Sequence, residues 1–282
     1  MTIIQHLENH FGTHVCEGGM RQISKSLHDL CHKIGVKFDF NKSVDKIVVE
    51  DKKAKGLMVD NKFLEFDRVI SNVDINLTYK ELLNDKNYLP DKENMSSSAI
   101  IFFWGINKEF QKLDLHNILF SNNYKEEFKK IFEENNLTDD PTIYINITSK
   151  DIKKVSPKGC ENWFVMINSP KDNGQDWDKL KNNLRKNIIR KINKNFNVNI
   201  ENHIVEEKVF TPKEISINTN SYLGSLYGES SNSIFSPLKR HQNFSRKIKN
   251  LYFCGGTVHP GGGIPLCIMS SKIVSDLIEK SY

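Results

Sequence analysis

The stretch with the densest capacity for chemistry is Leu251-Tyr252-Phe253-Cys254-Gly255-Gly256-Thr257-Val258-His259-Pro260-Gly261-Gly262-Gly263-Ile264-Pro265, near the carboxyl end of the 282-residue chain. Five glycines in nine positions strip side chains from the backbone between a strand-like run and a helix-like one, so a flat or charged ligand can lie on the main chain itself. Pro265 suits the first turn of a helix, whose opening amides have no partner inside the helix. Those amides, with the helix dipole behind them, favour an anion such as a pyrophosphate. Gly255, Gly256, Gly261, Gly262, Gly263, Ile264 and Pro265 are therefore the candidate cofactor contacts. His259 can shape the turn before Pro260, bond to the backbone or cofactor, or act as an acid or base, a role that geometry must license before pKa does. Glycine runs also occur where two backbones merely pack closely, and spacing alone does not separate the two uses.

A second constellation is His28 and His32, four apart on a predicted helix with Cys31 between them, a spacing compatible with a metal pair. No third ligand follows nearby and Cys31 belongs to the helix's apolar stripe, so no metal site is expected.

The elements that must position the turn follow from periodicity. A helix is predicted from about Met20 to Ile34, with Ile23, Leu27, Leu30, Cys31 and Ile34 on one face and Gly35 as its stop. Strands are predicted at Val36 to Phe40, Val44 to Glu50, Lys55 to Val59, Phe63 to Phe66 and Arg68 to Ser71, separated by polar turns. From Ser97 the character changes: Ala99 to Trp104 is a continuous apolar run suited to a sheet covered on both faces. Strands at Asn117 to Phe120, Thr142 to Ile147 and Trp163 to Ile167 alternate with helices at Tyr124 to Phe132 and Trp177 to Phe196. The second helix carries the stripe Trp177, Leu180, Leu184, Ile188 and Ile192. Ile215 to Arg246, with Gly224, Gly228 and Pro237, lacks a sustained period and reads as a long loop. A strand at Leu251 to Cys254 and a helix ending near Glu279 close the chain.

Composition narrows the classes. The 40 basic residues against 35 acidic ones leave a net charge of +5, and only six of the basic residues are Arg, so nucleic-acid binding through bidentate phosphate contacts is not expected. Lys-rich pieces at Lys125 to Lys130 and Lys179 to Lys194 read as solvated helix faces, with contact to a membrane surface the alternative. Five cysteines, Cys16, Cys31, Cys160, Cys254 and Cys267, lack framework spacing and fit a reducing, cytoplasmic compartment. The first residues do not form a signal or transit peptide, and no apolar run approaches the roughly 20 residues that cross a bilayer.

The run from His259 to Pro265, followed by Ser270-Ser271-Lys272, resembles the carboxyl-terminal signature of phytoene desaturases and related carotenoid desaturases, FAD-dependent oxidoreductases of polyenes. A second match is Glu17-Gly18-Gly19-Met20, then Gly35-Val36, Asn41 to Ile47, and Asp67-Arg68-Val69-Ile70-Ser71-Asn72-Val73-Asp74. Asp140 to Tyr144, Gly159 to Asn162, Asp176-Trp177 and Thr211-Pro212-Lys213 recur in the family's order, so the resemblance spans the chain. It implies an α/β fold: a partial FAD-binding, Rossmann-like domain from the chain ends (1–94 and 212–282) and a mixed-sheet α+β substrate domain (95–211). It also implies FAD along the 255–265 turn, further FAD contacts at Gly18, Gly19, Met20 and Val44, a carotenoid substrate, and desaturation by hydride transfer to the flavin. It names no catalytic base. Phe102, Phe103, Trp104 and Trp163 would then either line a polyene tunnel or form core, and burial statistics favour core.

Two departures from the family matter. Its G-x-G-x-x-G fingerprint, the main pyrophosphate cradle, has no counterpart in this sequence, which suggests an internal start, a truncated frame, or half of a split enzyme whose partner chain carries the dinucleotide-binding segment. Gly256-Thr257-Val258, Leu266-Cys267 and Ser271 look closer to the hydroxycarotenoid 3,4-desaturase branch. Alternatives left open are a retinol saturase-like or other polyene oxidoreductase of the same superfamily, and a non-catalytic chain.

Overall fold

A computed structural model describes residues 2–12, 14, 16–230 and 240–280. The chain opens with helices α1 (Thr2–Phe11) and α2 (Arg21–Lys33). The second follows the predicted helix and ends at Gly35, whose amide donates to the carbonyl of His32 (3.1 Å) at φ 88. Its apolar face is uncovered: Leu27, Leu30 and Ile34 are 50, 54 and 69 % exposed. The predicted strand from Val36 to Phe40 does not form. Among the described residues no strand runs beside it to satisfy its backbone, and an unpaired strand is not stable alone. Phe38 instead packs on His28 (4.5 Å) and stacks on Phe40 (5.8 Å).

Strands β1 (Val44–Glu50), β2 (Lys53–Val59) and β3 (Lys62–Glu65) form an antiparallel meander. Its two-residue turns, Asp51-Lys52 and Asp60-Asn61, have φ of 48, 58, 49 and 60, the left-handed pair that matches strand twist. The next strand, β4 (Val69–Ser71), leads into the short helix α3 (Ile75–Leu77), which continues as a π-helical turn at Thr78–Leu82. The Asp74 carboxylate caps α3 by accepting from the Asn76 amide (2.8 Å).

The middle of the chain folds β5 (Ser98–Ile106), β6 (His116–Leu119), α4 (Tyr124–Phe132), β7 (Ile143–Ile147), β8 (Glu161–Ser169), α5 (Trp177–Phe196) and β9 (Ile204–Phe210). The strands make one sheet in the order β6-β7-β8-β5-β9, antiparallel at every pair rather than the mixed sheet that the resemblance implies. Side chains alternate between its faces. Ile100, Phe102, Trp104, Ile145, Trp163, Val165 and Ile167 are buried in one cluster with Leu184, Ile188 and Ile192 of α5. Each such side chain contributes about 1.5–3 kcal/mol by leaving water. The opposite face is not covered as predicted. Phe103 is 38 % exposed there, and Phe164 and Phe210 meet it edge-on at 5.5 Å. Of the four candidate tunnel aromatics, Phe102, Trp104 and Trp163 are therefore core and Phe103 alone faces outward.

Glu161 anchors this unit. Buried at the start of β8, it pairs with Lys150 (2.6 Å) and accepts from the Phe110 amide (2.9 Å) and the Trp163 indole (2.7 Å). Removing one partner of a buried pair strands the others, so Glu161→Ala is expected to cost about 3 kcal/mol or more. Urea unfolding of the variant checks this; a midpoint within error of the parent would contradict it.

The remaining elements are α6 (Pro212–Thr219), β10 (Leu251–Phe253) and α7 (Ile264–Glu279). The long loop predicted from Ile215 therefore begins as helix, because Thr211 and Glu214 form a capping box with Pro212 at the first turn; its 231–239 portion, Pro237 included, lies outside the described residues. β10 pairs in parallel with β4, Leu251 opposite Val69. Ile47, Val69, Ile75, Leu251, Phe253 and Val258 share a second core. The fold is α/β, as the sequence implies. Among the described residues β4 has no strand on its other side.

Candidate functional site: the glycine turn between β10 and α7

The turn is fixed by its backbone. The Cys254 amide donates to the Ser71 carbonyl (3.0 Å), carrying β10 to the end of β4. Gly255 then passes so close to Asn72 that a Cβ would sit 2.6 Å from its Oδ1, at φ 116; only glycine accepts both conditions. Its amide donates to Ser270 Oγ of α7 (3.1 Å). Buried Asn243 gathers the far side, its Nδ2 lying 2.8 Å from the His259 carbonyl, 3.2 Å from that of Phe253 and 2.9 Å from Ser270 Oγ. The His259–Pro260 peptide is cis, and the His259 amide donates to the carbonyl of His241 (2.9 Å). His259 thus holds the turn through its main chain, while the residue itself is exposed.

The glycines differ in what they face. A Cβ at Gly261 would lie 3.2 Å from the Arg240 guanidinium, and one at Gly262 only 2.6 Å from Tyr227 Cδ1. At Gly256 it would meet Gly262 Cα at 3.4 Å and Cys267 Sγ at 3.6 Å. At Gly263, with φ 106, it would meet nothing within 4 Å. The protein's own side chains therefore cover the 261–262 side, and the turn opens at Gly263, where α7 begins. The Cys267 amide bonds back to the Gly263 carbonyl (2.9 Å); the earlier amides, of Ile264 and Leu266, belong to the first turn and have no partner inside the helix. Ile264, Pro265 and Leu266 are exposed around that positive helix end.

Val44 lines a pocket of about 360 Å³ with Ile70, Ser71, Asn72 and Val73, and Asn72 is also the residue against which Gly255 packs. The structure thus brings Val44 to the neighbourhood of the turn. Gly18, Gly19 and Met20 line neither that pocket nor the one at the turn. Gly19 closes a local turn through its amide to the Cys16 carbonyl (2.8 Å), and Met20 borders a cleft of about 570 Å³ on the open face of the five-stranded sheet, beside Phe103 and Phe164. The His28 and His32 rings are 6.5 Å apart, and no group of three metal-ligating side chains gathers among the described residues.

Several residues of the site had no sequence signal beyond lying in an aperiodic stretch. Arg240, buried, donates to the carbonyls of Tyr227 (3.1 Å), Gly256 (3.2 Å) and Glu229 (3.2 Å). Asp74 also accepts from the Tyr222 amide (3.1 Å), and burial raises its carboxyl pKa against the pull of these donors. Burial likewise raises the Cys254 thiol, which disfavours the reactive thiolate.

His241 gives a pH test. Its Nδ1 faces the Gln242 carbonyl (2.7 Å) and must carry the proton, so Nε2 accepts from the Tyr79 hydroxyl (3.1 Å). Burial pulls its pKa below the ordinary 6.5, with the Gln242 bond opposing; Asp85, Arg240, Arg246 and Lys247 line the same cleft. A depressed folded pKa gives stability that is complete above the unfolded pKa and is lost as pH falls toward the folded one. His241→Gln is expected to flatten the stability decline just below neutral pH. Parallel curves of unfolding free energy against pH for the two proteins would contradict this.

Residues 2–278 match the family described as flavin containing amine oxidoreductase. The chain belongs to that family. It is 50 % identical over 284 residues to the 1-hydroxycarotenoid 3,4-desaturase of Flavobacterium sp. (strain P99-3), covering all of this chain and 58 % of that protein. It is 30 % identical over 296 residues to the 4,4'-diapophytoene desaturase (4,4'-diaponeurosporene-forming) of Staphylococcus aureus (strain Newman), covering 99 % of this chain and 59 % of that one. The resemblance to carotenoid desaturases thus holds along the chain, and the chain spans less than two thirds of these relatives. As a member of this flavin-containing family, it shares its fold with an oxidoreductase from Methanosarcina mazei (TM-score 0.59, 16 % identity, 91 % of this chain and 55 % of that one). A cofactor-binding redesign of putrescine oxidase is similar too (TM-score 0.54, 13 % identity, 93 % and 53 %). No helix among the described residues is long and apolar enough to cross a membrane.

Proposed function

We propose that this chain carries the carboxyl-terminal flavin seat and the substrate sheet of an FAD-dependent desaturase of acyclic carotenoids. The observation that carries the proposal is the open start of α7, where Gly263 has nothing within 4 Å of a would-be Cβ beside the unpaired amides of a helix end. A cofactor fits there on chemical grounds, because bare backbone admits a flat ring and the helix end favours its anionic parts. Gly263 and Ile264 would hold it on one side, with Val44 and Asn72 at its flank; Gly255, Gly256, Gly261 and Gly262 shape the turn and are closed off by Asn72, Cys267, Arg240 and Tyr227.

When bound, FAD supplies the acceptor for a hydride from an allylic carbon, while a proton leaves the neighbouring carbon and a new conjugated double bond forms. The chain orients the polyene and excludes water. Phe103, Phe164 and Phe210 offer a continuous apolar surface on the open sheet face, suited to a long hydrocarbon that binds by contact area. The rest of the cofactor surface comes from a further segment, in the same polypeptide or a partner chain, that covers the apolar face of α2 and the free side of β4.

The test supplies the intact gene product with FAD, an acyclic 1-hydroxylated carotenoid and a quinone acceptor. The expected product is lighter by two hydrogens and absorbs at longer wavelength. Unchanged carotenoid in the presence of bound flavin would contradict the proposal.

A further inference from the structure

A pocket of about 290 Å³ adjoins the glycine turn, lined by Ser97, Phe132, Tyr227, Arg240, Pro260 and Leu266 among others. Tyr227 is one of its lining residues. Its amide donates to Ser96 Oγ (3.1 Å) and its carbonyl accepts from Arg240 (3.1 Å), so its backbone is pinned on both sides while its ring lies against Gly262. The ring is half-exposed. Among the described residues neither the Tyr227 hydroxyl nor Ser97 Oγ has a hydrogen-bond partner, and Phe132, Pro260 and Leu266 add apolar wall to the pocket. Two hydroxyls without protein partners, set among Phe132, Pro260 and Leu266 as well as Ser96, Ser230 and Arg240, fit a branched hydrocarbon end bearing a hydroxyl.

Chemistry restricts where such a site can be. In a 1-hydroxylated chain desaturated between carbons 3 and 4, the oxygen lies only three bonds, or about 4 Å, from the nearer reacting carbon. With a hydride-transfer distance of about 3–3.5 Å and an ordinary hydrogen bond, the group that binds the hydroxyl sits within roughly 10 Å of the acceptor. Tyr227 is in contact with the turn proposed to seat the flavin. A competing polar cluster lies on the open sheet face, but its members are already engaged with one another: His116 with Tyr144 (2.8 Å) and Asn146 (3.2 Å), and Asn146 with Thr148 (2.9 Å).

We infer that Tyr227, with Ser97 beside it, recognises the terminal hydroxyl of a hydroxylated acyclic polyene and so determines which chain end is presented for oxidation. This inference rests on the desaturase function proposed above. It makes Tyr227 a specificity-determining residue rather than a proton carrier.

The test compares an acyclic carotenoid bearing a hydroxyl at carbon 1 with the same carotenoid lacking it, using the FAD-loaded intact gene product and its Tyr227→Phe variant. Two readouts are taken: the ratio of kcat/KM between the substrates, and their relative Kd from quenching of protein fluorescence. The parent is expected to prefer the hydroxylated compound by both. The variant should lose roughly three- to tenfold of that preference, the scale of one neutral hydrogen bond. A preference unchanged in Tyr227→Phe overturns the inference, as does equal binding of the two compounds by the parent. Absence of turnover with both substrates refutes the desaturase function instead, while the binding ratio still decides the role of Tyr227.

Discussion

Expressed alone, residues 1–282 are expected to purify nearly colourless. The open turn offers a few backbone amides and one helix end, an interaction of a few kcal/mol at most, which corresponds to about millimolar binding. The surfaces that would complete a cofactor site are uncovered: the apolar face of α2, the free side of β4 and the exposed apolar residues Ile264, Ile268 and Met269 of α7. The chain also spans only 58 % of the length of its hydroxycarotenoid desaturase relative. Supplying the uncovered remainder of such a relative as a separate segment should raise bound flavin to about one per chain by closing those surfaces. A stoichiometric flavin spectrum from residues 1–282 alone would contradict this division of the site.

The second large effect separates two neighbouring glycines. Gly262→Val places a methine carbon 2.6 Å from Tyr227 Cδ1, a contact that packed interiors do not tolerate, so both stability and flavin retention should fall. Gly263→Val meets no protein atom within 4 Å and should cost only the backbone strain of a branched residue at φ 106, about 1–3 kcal/mol. Its bulk enters the space proposed for the cofactor, and flavin retention is expected to drop at least tenfold in a protein that remains folded. Circular dichroism and flavin content of the two variants, measured in the intact gene product, distinguish these effects. Full flavin occupancy in Gly263→Val would mean that the open side of the turn faces no cofactor.

Much of the architecture was legible wherever local signals and tertiary packing agree. The stripe from Trp177 to Ile192 placed α5, and its Asp176 cap and left-handed Asn197 end confirm why the helix stops where it does. The glycine turn was readable because glycine and proline act through their own backbones. Elements that depend on distant partners were not. β9 contains Glu206 and Glu207 at its centre and becomes a strand by pairing with β5, while Val36 to Phe40 has a strand's composition but no neighbour. α6 had a readable start in Thr211-Pro212-Lys213-Glu214, obscured by the Ser and Asn that follow. In the site, Tyr227, Arg240 and Asn243 reach the turn across 16 to 35 residues of chain, and nothing in their local sequence encodes that contact. Met20, given a cofactor contact by the resemblance, lies beside Phe103 on the sheet.

The most direct test mixes the flavin-loaded intact gene product with a 1-hydroxylated acyclic carotenoid in the absence of oxygen and follows the yellow flavin absorbance. Bleaching of the flavin in step with a lengthened polyene chromophore is the expected result. A flavin that stays oxidised while the carotenoid is demonstrably bound would show that electrons do not pass between them.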